Sequence, residues 1–316
     1  MSARFTGRLS APAGKYLDGD TWIVEDRYNP DGAEKKIPGK PCRKRARPLK
    51  NWGMIMNLRT ISNGKILDED RSPAAALADI KLEGKAFKTS ICVSTLYSYI
   101  TKKGVFLSLT NADLPEKSKR KRQYRTVKKT GKRQNGKSID KRPEVVDQRT
   151  TFGHWEGDTV YSKKDGSKAL LVLTERLTRW EIIARIKDRT ANSVIKAMDQ
   201  IERRFGADLF AKAFQTITFD NGGEFSDVER LERSAVRKGR RRTTAYFCHP
   251  YSSYERGSNE CQNKMIRRKF PKGTDFGAVS AAAVKRAEDW INNYPREILG
   301  WKTAEICFRE CLAALA

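Results

Sequence analysis

Between Lys117 and Arg142 stand thirteen Lys or Arg residues and one acid, Asp140, with almost no apolar side chain among them. Such a stretch cannot bury enough surface to offset the entropy of ordering it, so it predicts a flexible cationic linker with folded parts on either side. A length of 316 residues leaves room for about two domains with cores of their own. Sixty-four Lys and Arg against 38 Asp and Glu give a net charge of +26, and a polyanion is the expected partner. A hydrophobic content of 38% places that charge on a fold rather than on a disordered basic chain.

Several function classes drop out. There is no run of the ~18–20 apolar residues that a membrane span needs, and the opening MSARFTGRLSAPAGKY lacks the apolar block of a secretory signal. The expectation is a soluble, intracellular protein of the cytoplasm with no membrane partner. The six cysteines form no CxxC pair and read as reduced thiols. With only His154 and His249, zinc sites rich in His and most His-driven nucleophilic relays lack material, so a metal site here would be built from carboxylates.

Residues 1–68 form a poorly defined basic N-terminal region with little periodicity and a basic run at Lys40–Lys50. Ser72-Pro73 opens a short helix carrying Ala76, Leu77 and Ile80. Val93, Leu96, Tyr97 and Ile100 then fall at i, i+3, i+4 and i+7, with Gly104 placed to stop that helix. Residues 69–112 are therefore a helix-turn-helix-like DNA-binding segment, although an ordinary helical hairpin fits the same pattern. The basic linker is assigned to 113–149, with Lys119, Arg120, Lys121 and Arg122 contacting phosphates without regard to sequence.

From Thr150 the texture becomes α/β, and 150–316 reads as one domain. Trp155–Val160, Ala169–Leu173 and Glu181–Ile186 suit a three-stranded meander. A helix over Thr190–Phe205 follows, then strands at Phe214–Asp220 and Ala245–Cys248 and helices at Ser258–Phe270 and Val279–Asn292. Asp158 sits in one strand and Asp220 at the end of another. Glu260 lies on the first turn of a helix, with Lys264 and Arg267 following at i+4 and i+7. Cys261 and Met265 give a more apolar neighbouring face by which that helix would pack on the sheet. Three carboxylates on separate elements fit two divalent cations about 3.5–4 Å apart, Mg2+ best and Mn2+ as a substitute, serving phosphoryl transfer.

The words GHWEGDTV, TFDNGGEF and HPYSSYERGSNECQNKMIRRKFPKGTDF resemble DDE transposases of the IS-thirty family of bacterial insertion sequences. The resemblance runs from Phe152 to Phe308, includes INNYPREILGWKTAEICF, and extends loosely to SPAAALADIK and VSTLYSYITKKG. It implies an α/β fold: an RNase H-like, integrase-like catalytic core with a mixed five-stranded sheet flanked by helices, behind the helix-turn-helix part. It further implies that Asp158, Asp220 and Glu260 are both the catalytic and the metal-binding residues, Glu255 of the ERG turn being the rival third acid. Glu156, Asn221 and Glu224 would support the ligands from behind, or stand as ordinary polar residues beside the site.

The implied reaction is hydrolysis at an element end to free a 3′-OH, then transesterification into another strand, without ATP or any nucleotide cofactor. Its substrate would be double-stranded DNA, both terminal inverted repeats and target, with a joined-end intermediate. Holding two ends requires a homo-oligomer, at least a dimer. Lys264, Arg267 and Arg268, with Lys238, Arg240, Arg241 and Arg242, are the DNA-binding cations, an inert basic loop being the alternative for the second group. Arg233–Arg242 also accounts for the long spacing, 39 residues between Asp220 and Glu260. Trp155 and Tyr254 are candidates for stacking on bases or for packing, His154 for packing or a hydrogen bond, and His249 for strand-end packing. Cys307 and Cys311 read as small core residues.

Two features depart from the family pattern: Tyr254 and Cys261 replace Trp and Asn, and residues 1–68 hold no recognisable further helix-turn-helix. The expectation is that recognition of the ends is divergent or truncated here. A catalytically inactive repressor or decayed transposase, and a nuclease that cuts without joining, are the alternative functions.

Overall fold

The computed structural model describes residues 15–18, 21–24, 52–85, 91–102, 106, 108–115, 136–162, 168–250, 252, 255 and 257–315. For 15–18, 21–24, 52–57, 257, 258 and 260 it describes the backbone alone. The Lys40–Lys50 run, Gly104, Lys119–Arg122 and Tyr254 lie outside the described residues. Within residues 1–50, β1 (Lys15–Asp18) and β2 (Thr21–Val24) form an antiparallel hairpin that belongs to a unit of its own.

Three helices open the second unit: α1 (Trp52–Leu67), α2 (Pro73–Leu82) and α3 (Val93–Thr101). Ser72 caps α2 as its sequence position predicts, its Oγ accepting from Ala75 N at 3.2 Å. The apolar stripes of α2 and α3 meet Leu58 and Ile66 of α1, with Phe106, Leu109 and Leu114 closing a separate core. Helix α1 is absent from the sequence reading because its inward face is partly polar. Ser62 and Lys65 are buried there, and Lys65 is held by Glu69 at 3.2 Å and by Glu83. A buried cation breaks the apolar period on which helix recognition depends.

The rest of this unit is built on β3 (Lys137–Ser138), β4 (His154–Tyr161), β5 (Ala169–Glu175), β6 (Glu181–Ile186), β7 (Thr216–Phe219) and β8 (Thr244–Phe247). Their order is β3-β8-β7-β4-β5-β6. β4, β5 and β6 form the expected antiparallel meander, and β7 and β8 add in parallel beside β4. This is a mixed sheet flanked by helices, of RNase H-like arrangement. A sixth strand, β3, joins the five expected. It comes from the end of the stretch read as linker, which continues into α4 (Val145–Gln148). Charge density hid this ordering because Arg142 is buried and donates to Thr218 Oγ1 at 2.8 Å, so its charge counts as structure and not as solvated linker.

Alternation along β4 divides the side chains between two layers. Trp155, Leu171, Leu173, Ile217 and Phe219 pack one face, beneath α5 (Ala191–Phe205), α6 (Ala207–Ala213), α7 (Val228–Glu232) and α10 (Ala304–Ala313). Val160, Leu170, Val172 and Ile183 pack the other, beneath α8 (Gly257–Lys269) and α9 (Ala281–Asn292). Trp155 is wholly buried, stacks on Phe214 at 4.2 Å between centroids and donates to Ala213 O at 2.7 Å, so it packs and is not open to bases.

Gly157 faces the same layer as Trp155, where a Cβ would fall 2.3 Å from the Phe219 ring. Gly157→Ala is expected to lower stability by about 1–3 kcal/mol, the usual cost of overpacking, read as a reduced urea midpoint at unchanged slope.

Candidate active site

Parallel pairing of β4 with β7 runs His154↔Thr216, Trp155↔Ile217 and Glu156↔Thr218. Asp158 lies two residues beyond the last of these pairs inside β4, and Asp220 is the residue that follows β7, so this register carries both acids toward the same end of the two neighbouring strands. Both are half-buried. Asp158 Oδ1 accepts from Thr159 N at 2.8 Å and its Oδ2 from Asn263 Nδ2 at 2.7 Å. Asp220 Oδ1 accepts from Gly222 N at 2.9 Å. Gly222 permits that approach, since a Cβ there would lie 2.7 Å from Glu224 Oε2 and 2.9 Å from Asp220 Oδ1.

Helix α8 is fixed against this pair from below. Glu156, fully buried, accepts from Arg176 Nη1 at 2.6 Å and, through its other oxygen, from the backbone N of Asn259 at 2.9 Å. The carboxylate thus serves as a cap supplied from another element, satisfying a first-turn N–H and setting negative charge at the helix's positive end. The buried face of α8 is Asn259, Gln262, Ile266 and Phe270. Of the expected packing face, Met265 does pack against the core beneath α8 and α9, whereas Cys261 is exposed. Cys261 misled there because Gln262 is buried for its hydrogen bonds: its Nε2 donates to Arg179 O at 2.7 Å and its Oε1 accepts from Arg296 Nη2 at 3.3 Å. Glu260 follows Asn259 in the backbone, one turn before Asn263.

Alongside lies Glu181 of β6, completely buried, whose carboxyl is pushed up to about 8 by burial, against the opposing pull of Arg296. Burial in turn brings the Arg296 guanidinium down to about 10.

The remaining candidates separate by role. Glu224 accepts from Thr159 Oγ1 at 2.6 Å and from Arg189 Nη2 at 3.3 Å. Asn221 ties the turn after β7 to β8's end by donating to Cys248 O at 2.6 Å. Glu255 places both oxygens on His249, one on its backbone N at 2.9 Å and one on ring Nδ1 at 2.7 Å. His249 does not pack at a strand end: its Nε2 reaches Asp140 at 3.1 Å, and Glu255 first and then Asp140 raise the imidazole above its usual range. His154 Nδ1 meets Thr216 Oγ1 at 2.9 Å.

Arg242 is not available to DNA. It is buried against Asp199 at 2.6 Å and Glu202 at 3.3 Å, because the basic stretch folds back as a hairpin on α5. Arg241 pairs with Glu232 at 3.3 Å, and Lys238, Arg240 and Lys264 are exposed. Arg267 donates to Tyr161 O at 3.0 Å, and Arg268 is engaged by Asp70.

Sequence reasoning missed Asn263 and Arg176. The i+3 spacing from Glu260 marks Asn263 as a neighbour of the acid on the same helix, whereas nothing local marks Arg176. Among the described residues no three His, Cys, Asp or Glu side chains gather as a metal site, and no helix is long and apolar enough to cross a membrane. The oxygen-only donors at Asp158 and Asp220 are of the kind that hard divalent cations take.

The integrase core domain model matches residues 148–253. The chain is 33% identical over 215 residues to the probable transposase for insertion-like sequence element IS1161 of Streptococcus salivarius, covering 68% of this chain and 57% of that protein. To the transposase for insertion sequence element IS1086 of Cupriavidus metallidurans it is 30% identical over 257 residues, covering 79% and 69%. To transposase InsI for insertion sequence element IS30A of Escherichia coli it is 34% identical over 170 residues, covering 54% and 41%. The chain thus spans somewhat over half the length of the first of these relatives.

Removing one partner of the buried pair strands the other charge. Arg176→Met is expected to cost about 3–5 kcal/mol in a guanidinium titration, and adding Glu156→Gln, which needs no counter-charge, to recover part of it. The Glu181 carboxyl keeps its proton in the folded state up to about pH 8 and loses it near the ordinary value of 4.5 when unfolded. Stability should therefore fall as pH rises from about 4.5 to about 8 and level off above, by on the order of 4 kcal/mol. Glu181→Gln should flatten that slope in unfolding curves taken across the interval.

Proposed function

The chain belongs to the transposases of bacterial insertion sequences, of the IS30 type, and on that footing we propose that it binds element ends and catalyses metal-dependent DNA cleavage and strand transfer. The observation that carries this reading is that the parallel neighbours β4 and β7 bring Asp158, inside the one, and Asp220, directly after the other, to the same end of the sheet, with α8 tied to Asp158 through Asn263. Asp158, Asp220 and Glu260 are the carboxylates that hold divalent cations, Mg2+ first. When bound, the cations activate the attacking oxygen and stabilise the leaving one.

The chain's own residues position the chemistry. Asn263 and the Gly222 amide fix the rotation of the two aspartates. The Glu156–Arg176 pair holds the helix that carries Glu260. Lys264 and the exposed Lys238 and Arg240 meet phosphates, each contact adding salt-dependent affinity. Water is the first nucleophile and frees a 3′-OH. That hydroxyl then displaces a second phosphodiester, so bonds are exchanged without ATP or a protein–DNA covalent link. The helical unit reads DNA, the basic linker tracks its backbone, and at least two protomers bring the ends together in the cytoplasm.

The test is a duplex carrying the element's terminal repeat, incubated with Mg2+ or Mn2+, with cleaved and joined strands mapped. Joined products from the unmodified protein, reduced at least a hundredfold in Asp158→Asn, Asp220→Asn and Glu260→Gln, are expected, a fold loss typical of removing a group that acts in the transition state. Cut strands without joining would make it a nuclease, binding without any cut a repressor, and an active Glu260→Gln would move the third acid to Glu255.

A further inference from the structure

The last turn of α8 carries Arg268 and Lys269, and both lie over the ring of Trp290 on α9, at 4.8 Å and 4.1 Å from its centroid. Two adjacent cations held on an indole face form a site for a phosphate. A carboxylate from the helical unit already sits on it. Lys269 Nζ donates to Asp70 Oδ2 at 2.6 Å, Arg268 Nη2 donates to Asp70 O, and Arg268 also stands 3.8 Å from Asp70 Oδ1. Asp70 reaches this position only by adopting φ +62°, a conformation that favours glycine.

We infer that Asp70 is a phosphate mimic, occupying a DNA-backbone site made by Arg268, Lys269 and Trp290. The helical unit and DNA therefore compete for the end of α8. The inference rests on the DNA-acting reading above and names a regulation of it. Its main support is redundancy. The turn around Asp70 is held without the carboxylate: Trp290 Nε1 donates to Glu69 O at 2.6 Å, Arg71 Nη2 to Asn293 O at 3.0 Å, and Ser72 N to Tyr294 Oη at 2.8 Å. Those bonds account for the docking. The strained carboxylate adds only a charge laid on two cations that a phosphate oxygen would meet in the same charge-assisted way.

Glu69, next in the chain, supplies the control, because its carboxylate pairs within the helical unit, with Lys65 at 3.2 Å and Arg71 at 3.7 Å. The full chain is titrated with an arbitrary duplex of about 30 bp in metal-free buffer over a range of salt concentrations. Asp70→Asn and Asp70→Gly, the latter at ease with positive φ, should bind about five- to tenfold more tightly, with a salt slope steeper by about one to two phosphates. Glu69→Gln, which removes the same charge one residue away, should change affinity less than about twofold. Adding Arg268→Ala and Lys269→Ala to Asp70→Asn should cancel the gain. Equal gains from Asp70→Asn and Glu69→Gln would reduce the effect to net charge, and weaker binding by Asp70→Asn would make Asp70 a docking strut. Either result overturns the inference. If no form bound duplex, the DNA-acting reading itself would fall and this one with it.

Discussion

One buried ion pair decides where the site can exist. Glu156 and Arg176 meet inside the protein at 2.6 Å, and the second oxygen of Glu156 receives the Asn259 amide at the start of α8. Neither charge could remain there alone, since desolvation would exceed what any single contact returns. The pair holds together because every arm has work: Arg176 also donates to Val146 O at 3.2 Å, which brings α4 under the same sheet. Strand β4 therefore supplies Asp158 to the surface and, two residues earlier, the support that sets the height of the helix above it. Distance between the acid on the strand and the helix is set by one side chain's length rather than by loop geometry.

The same economy runs through the rest of the charge. A net +26 invites a picture of a chain coated in cations. Yet Lys65, Arg71, Arg142, Arg176 and Arg242 are buried and matched to carboxylates or carbonyls. Among the described residues, Lys238 and Arg240 of the basic hairpin and Lys264 of α8 are examples of cations that stay exposed to a polyanion. Charge-assisted bonds of this kind fix angles as well as distances, so the buried cations act as joints between elements.

Much of this was legible from the residues. The strands of the meander and the helix α5 follow from two-residue and 3.6-residue periods, which depend on local burial alone. What stayed hidden was of two kinds. Helix α1 and the turn that follows β3 bury charged side chains whose partners are distant in sequence, Lys65 with Glu83 and Arg142 with Thr218, and no window of neighbours contains that information. The face of α8 was legible at Met265 and misread at Cys261 for the same reason, Gln262 being inward for its bonds to Arg179 and Arg296 while Cys261 faces out. The family resemblance of the words around them singled out Asp158 and Asp220, whereas Arg176 and Asn263 became visible only through the fold.

The basic hairpin between α7 and β8 is closed at its base by the Arg233↔Arg241 bridge and pinned where Glu202 takes the Ala235 amide at 2.8 Å. Beyond that clasp Arg237 reaches back to Asp208 of α6 at 2.5 Å, while Val236, Lys238 and Arg240 stand exposed. Residues can be added, removed or recoded at the tip while Asp220 and α8 stay at their stations. This is a place where a lineage can rewrite its acquaintance with DNA, and leave the machinery that breaks and makes bonds untouched.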